Sequence, residues 1–86
     1  MAPRTRGIGK SVHSPAQGAF CALLVEARKA AGLTQRALAR RLKVPQSFVA
    51  KYEGGERRLD VVEFLQIARA IGADPLRILR ALRKQL

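Results

Sequence analysis

Apolar residues along this chain recur mainly at three- and four-residue spacing, the period of helices buried on one side. The stretch GLTQRALARRLKVPQSFVAKYE at residues 32–53 shows the pattern most compactly. Leu38 and Leu42 stand four apart, and Val49 and Tyr52 stand three apart, so each pair marks the inner side of a short helix. Ala39 and Val44 add to its apolar positions. Between the two pairs, Leu42-Lys43-Val44-Pro45 breaks the period just before a proline, where helices end. Two short helices, a tight turn and a basic exterior form a helix-turn-helix over about residues 34–53. Such a unit serves mainly to set one helix into the major groove of DNA.

Three more helices flank it. Ser14-Pro15-Ala16-Gln17 combines a capping serine, a proline at the first helical position and a glutamine three residues after the cap. A first helix is therefore predicted from residue 15 to about 31, burying Phe20, Leu24, Ala27 and Ala31, with Gly32 as the left-handed residue behind it. Thr34 caps the second helix, residues 35–42; the third starts near Gln46 and stops at Gly54-Gly55. Asp60-Val61-Val62-Glu63 forms another capping box and opens a fourth helix with the stripe Val62, Leu65, Ala68 (or Ile67) and Ile71, closed by Gly72. Asp74-Pro75 starts a fifth, carrying Leu76, Leu79, Leu82 and Leu86. Five helices without a strand pattern predict an all-α domain over residues 14–86. Residues 1–13, with Gly7, Gly9, Pro3 and basic residues but no period, read as a flexible basic arm, with or without a role of its own.

Charge narrows the partner. Seventeen Lys and Arg face six Asp and Glu over 86 residues, a net charge of +11, and this excess points to a polyanion. The 48% apolar content suffices for one small core. Lone Cys21 sits among apolar helical residues and reads as core packing in a reducing cytoplasm. No apolar run approaches membrane-spanning length, and the chain start lacks the apolar segment of a signal peptide, so a cytoplasmic, nucleoid-associated protein is expected. The single histidine is His13, and no carboxylate pair or metal-spaced ligand cluster stands out; an enzyme, a metal or a cofactor is not expected. Scarce aromatics argue against RNA stacking, and separate capped helices argue against a membrane-surface peptide.

GLTQ-x-x-LA-x-x-L followed by QS-x-V-x-x-YE-x-G resembles the lambda-repressor/Cro-type (XRE-like) helix-turn-helix family, and the likeness extends over roughly residues 20–79, including LQIARAIGADP. The resemblance implies a compact five-helix lambda-repressor-like DNA-binding domain with its recognition helix at about residues 46–53. It implies that Gln35 grips a phosphate and braces that helix, beside a helix N-terminus that itself attracts phosphate. It also implies a structural ion pair between Arg28 and Glu53. With Val49 and Tyr52 turned inward, the base-reading face is Gln46, Ser47, Ala50 and Lys51. Gln suits adenine N6/N7, Ser either donates or accepts, Ala meets a thymine methyl, and Lys reaches guanine or phosphate. Phe48 either packs toward helix two or shows an apolar edge to the groove. Arg36, Arg40, Arg41, Lys43, Arg57 and Arg58 flank the reading helix as phosphate candidates. Against the family pattern, Lys43 stands where glycine is usual, Pro45 replaces the usual Ser/Thr cap, and Glu56 is acidic where the loop is often basic.

One recognition helix spans few base pairs, so the resemblance implies a homodimer on a near-palindromic double-stranded site. It assigns the dimer contact to Leu59, Pro75, Leu76 and Arg77; Leu82 and Leu86 either enlarge that contact or cover the core. The expected function is a sequence-specific transcriptional regulator, a small repressor acting by occlusion. The alternative is an antitoxin or restriction-modification controller that binds its own promoter, a protein partner, or both.

Overall fold

The computed structural model describes residues 14–86, and the basic arm predicted at residues 1–13 lies outside them. Among the described residues there are five helices and no strand: α1 Pro15–Ala30, α2 Gln35–Leu42, α3 Gln46–Glu53, α4 Val61–Ile71 and α5 Pro75–Arg83.

Side-chain caps fix the starts. Ser14 Oγ accepts from the Gln17 N–H at 3.1 Å, and Thr34 Oγ1 accepts from the Ala37 N–H at 3.0 Å. Asp60 and Glu63 close a reciprocal capping box, with bonds of 2.7 and 3.0 Å. Asp74 Oδ1 takes the Leu76 N–H at 2.9 Å, ahead of which Pro75 has no N–H to satisfy. Only α3 starts without a side-chain cap, because Pro45 stands in that place.

The ends of α1 to α4 share one motif, in which paired backbone N–H groups fold back onto the last carbonyls. After α2, Val44 donates to Ala39 and Lys43 to Arg40, at 3.0 and 3.2 Å. The motif needs a left-handed residue. Gly32, Gly55 and Gly72 supply it after α1, α3 and α4, and Lys43 (φ 60°, ψ 43°) supplies it after α2.

Leu24, Leu38, Ala39, Val49, Tyr52, Phe64, Ile67, Ile71 and Ile78 form the core, with Phe20 set edge-on against Phe64 at 5.2 Å between ring centroids. Two expected faces are shifted in part, and in α5 the leucine stripe lies mostly outside the core. In α1 Leu24 is buried with Cys21 and Arg28, and Phe20 and Ala27 pack half-buried against the core as expected; Ala31 is exposed, because the helix has already ended and the chain turns away at Gly32. In α4 the buried stripe is Phe64, Ile67, Ala68 and Ile71, whereas Val62 and Leu65 are 63% and 46% exposed. VVEFLQIARAI is apolar on nearly every side, and the bulk of Phe64 decides which side goes in. In α5 only Ile78 is buried; Leu76 and Leu79 face outward, Leu86 is exposed and Leu82 is half-buried.

Candidate nucleic-acid interface

Helices α2 and α3 pack closely through Leu38, Ala39, Val49 and Tyr52, so the opposite side of α3 faces outward. Its far end is gripped from below. Arg28, late in α1, donates from Nε to Glu53 Oε2 at 2.7 Å and from Nη2 to Glu53 Oε1 at 3.1 Å. The same guanidinium donates from Nη1 to the Leu33 carbonyl at 2.7 Å. Both side chains are buried, at 10% and 4% exposure, so this pair has little water to compete with it. Glu53 raises the already high Arg28 pKa through those hydrogen bonds.

The network continues onto α2 and returns to α3. Gln35 Nε2 donates to Glu53 Oε1 at 2.9 Å, and Gln46 Nε2 donates to Gln35 Oε1 at 3.4 Å, a long bond. The chain Arg28–Glu53–Gln35–Gln46 therefore runs from a buried charge to an exposed amide at the first position of α3. Beneath the same helix, the Cys21 thiol donates to the Tyr52 carbonyl at 3.1 Å. Burial pushes the Cys21 thiol up, which disfavours the nucleophilic thiolate. Burial also raises the Tyr52 phenol, whose hydroxyl has no hydrogen-bond partner among the described residues.

Gln46, Ser47 and Lys51 are exposed along α3, and Ala50 is half-buried between them. Phe48 packs on the core side, edge-on to Tyr52 at 5.8 Å between centroids and beside Leu42, Val44 and Ile67. Arg36, Arg40, Lys43 and Arg58 are exposed. Arg41 is exposed too, but its Nη1 donates to the Ala70 carbonyl at 2.8 Å, near the end of α4. Arg57 is turned inward onto Phe48 and Glu63, an arrangement that residue spacing does not announce because the loop between α3 and α4 must first fold back.

The residues assigned to a dimer contact fall in different settings. Leu76 and Arg77 are exposed, Pro75 and Leu82 are half-buried, and half-buried Leu59 packs against the core. The exposed apolar side chains also include Val61, Val62, Leu65 and Leu79, which the expected contact omitted. Their signal was present: a helix as apolar all round as α4 leaves one side over once the core is filled. Among the described residues, no cluster has the make-up of a metal site, and no helix is long and apolar enough to cross a membrane.

Comparison with known proteins agrees with this geometry. Residues 19–82 match the helix-turn-helix domain family. An XRE-family like protein from Pseudomonas syringae pv. tomato str. DC3000 is 51% identical, with 88% of this chain and 93% of that one covered and a TM-score of 0.80. The restriction-modification controller protein C.AhdI from Aeromonas hydrophila is 33% identical over 70% of this chain and 91% of its own, with a TM-score of 0.64. A point mutant of the restriction-modification controller protein C.Esp1396I shares the fold at 19% identity, covering 84% and 91% of the two chains, with a TM-score of 0.75. No match was found among curated proteins. With its brace, its left-handed turn and these relatives, the chain belongs to the XRE-like family of helix-turn-helix DNA-binding regulators.

Proposed function

We propose that this protein is a sequence-specific repressor that binds a near-palindromic double-stranded DNA site as a homodimer and acts by occlusion. The observation that carries this reading is the Arg28–Glu53–Gln35–Gln46 chain, which holds α3 against α1 and α2 while its outer side stays polar. Gln46, Ser47, Ala50 and Lys51 read bases, with Gln46 pre-oriented by Gln35. Gln35, Arg36, Arg40, Lys43 and Arg58 serve the phosphates. Arg41 contributes only if it leaves the Ala70 carbonyl. Pairing uses the exposed apolar side chains of α4 and α5, above all Val62, Leu65, Leu76 and Leu79, which a second copy would remove from water.

A random-library selection of duplex DNA with the purified protein tests the reading. The expected product is one motif with two related halves about one helical turn apart. Affinity for it should fall linearly on a log–log plot against salt. Enrichment of no motif would sink the reading, and a monomer on and off the selected duplex in sedimentation would remove the homodimer. A second reading, a controller that binds its own promoter, is favoured by the likeness to C.AhdI. It predicts that the selected motif occurs just upstream of the protein's own gene.

A further inference from the structure

The loop between α3 and α4 carries Arg57 and Arg58, two cations of the kind expected to meet phosphate. The Arg57 guanidinium has a full set of partners. Its Nη2 donates to Glu63 Oε2 at 2.8 Å and its Nη1 to Glu63 Oε1 at 3.0 Å, a bidentate pair. Nη1 also donates to the Arg58 carbonyl at 2.8 Å, and the guanidinium carbon lies 4.6 Å from the centroid of the Phe48 ring. Glu63 is itself anchored, because Oε1 accepts the Asp60 N–H within the capping box of α4. One planar group thus touches the recognition helix, the loop backbone and the first turn of α4.

We propose that Arg57 is a positioning residue for DNA reading: stacked on Phe48 and held by Glu63, it clamps the recognition helix to the start of α4 and is not itself a phosphate ligand. The inference rests on the DNA-reading role proposed above. Two physical arguments support it. A carboxylate on the guanidinium fork occupies the geometry a phosphate would use and repels the phosphate itself. The Arg57 hydrogen bond lowers the Glu63 pKa, so the pair is ionised at neutral pH. Next, the two side chains retain 39% and 26% exposure, and ion pairs that exposed add little to folding stability. What the clamp fixes is the angle between α3 and α4, and α4 carries the exposed Val61, Val62 and Leu65. In a dimer paired through that face, the angle sets the separation of the two reading helices.

The test uses the whole chain and a duplex recovered by selection against the unmodified protein. Arg57→Met, Arg57→Lys, Glu63→Gln and the double variant Arg57→Met/Glu63→Gln are titrated on it across a salt series, with melting recorded beside. Each single variant should weaken binding about tenfold, and the double no further, as expected for residues in one hydrogen-bond network. Arg57→Lys should fail like Arg57→Met, since lysine keeps the charge but loses the fork and the stack. The salt slope and the melting temperature should stay near those of the parent. The proposal is overturned if Glu63→Gln binds as tightly as the parent or tighter while Arg57→Met lowers the salt slope by about 0.9, the mark of a phosphate ligand. It is also overturned if melting temperature falls in step with affinity, which would make the pair a support of the fold. Failure of the unmodified chain to enrich any duplex would remove the DNA-reading role and the clamp together, and would be evident before any variant is tested.

Discussion

At its C-terminal end, α3 is held by a buried carboxylate that accepts three hydrogen bonds, by a thiol on the Tyr52 carbonyl, and by a glycine-based terminator. At its N-terminal end, the same helix has no side-chain cap, follows a lysine forced into the left-handed region, and holds Gln46 by one long hydrogen bond. The two ends lie about two turns apart. In the proposed reading, the helix is anchored at one end and offers its amide and hydroxyl to bases at the other, with Lys51 lying beside the anchored end. At the firmly held end Tyr52 and the Glu53 side chain are buried beside an exposed Lys51, and the exposed amide and hydroxyl sit at the loosely held end. A base-reading side chain needs some freedom to adjust, whereas the helix as a whole must not tilt.

The largest test of this contrast is Glu53→Ala. It strands the buried Arg28 guanidinium, so stability should drop by about 3 kcal/mol, measured from the denaturant midpoint at constant slope. Affinity for a selected duplex should fall although residue 53 touches no base. A loss under about 1 kcal/mol would mean that the far end is not locked by this pair.

Lys43→Gly probes the opposite end. Relief of the left-handed lysine should stabilise the fold by about 1 kcal/mol. If Lys43 also meets a phosphate, the salt slope should fall by about 0.9 in the same variant. An unchanged melting temperature would show that the turn stores no strain. Smallest is Tyr52→Phe, one residue before Glu53 in the locked end. Its hydroxyl is buried without a described partner, so removal should leave stability within about 0.5 kcal/mol of the parent or raise it. A loss as large as that of Glu53→Ala would instead reveal a partner for the hydroxyl and extend the locked network.

Much of this arrangement was legible from residue order. Ser14, Thr34, Asp60 and Asp74 announced helix starts because a capping side chain acts on backbone only three residues away or fewer. Gly32 and Gly72 announced ends for the same local reason. The family resemblance supplied the Arg28–Glu53 pair, which spacing alone does not reveal across 25 residues. Half of the α4 stripe was misread, Val62 and Leu65 being exposed, and the α5 leucines are open between core and contact, because periodicity identifies a stripe but not which of two stripes meets the core. Phe64 and Ile78 decided that through packing with distant helices. Arg57 was equally hidden, as its partners Phe48 and Glu63 come together only when the loop closes.

The brace and the outward side of α3 share few side chains, and this has a practical consequence for redesign. Ser47 and Lys51 point away from the Arg28–Glu53–Gln35 network, so substitutions there change what the helix presents without disturbing how it is mounted. Gln46 is different, because it is tied to Gln35 and any replacement alters the network's outermost link. In the proposed DNA-reading role, a combinatorial library at positions 47 and 51, with 46 kept as Gln, would therefore draw new sequence preferences from an unchanged scaffold.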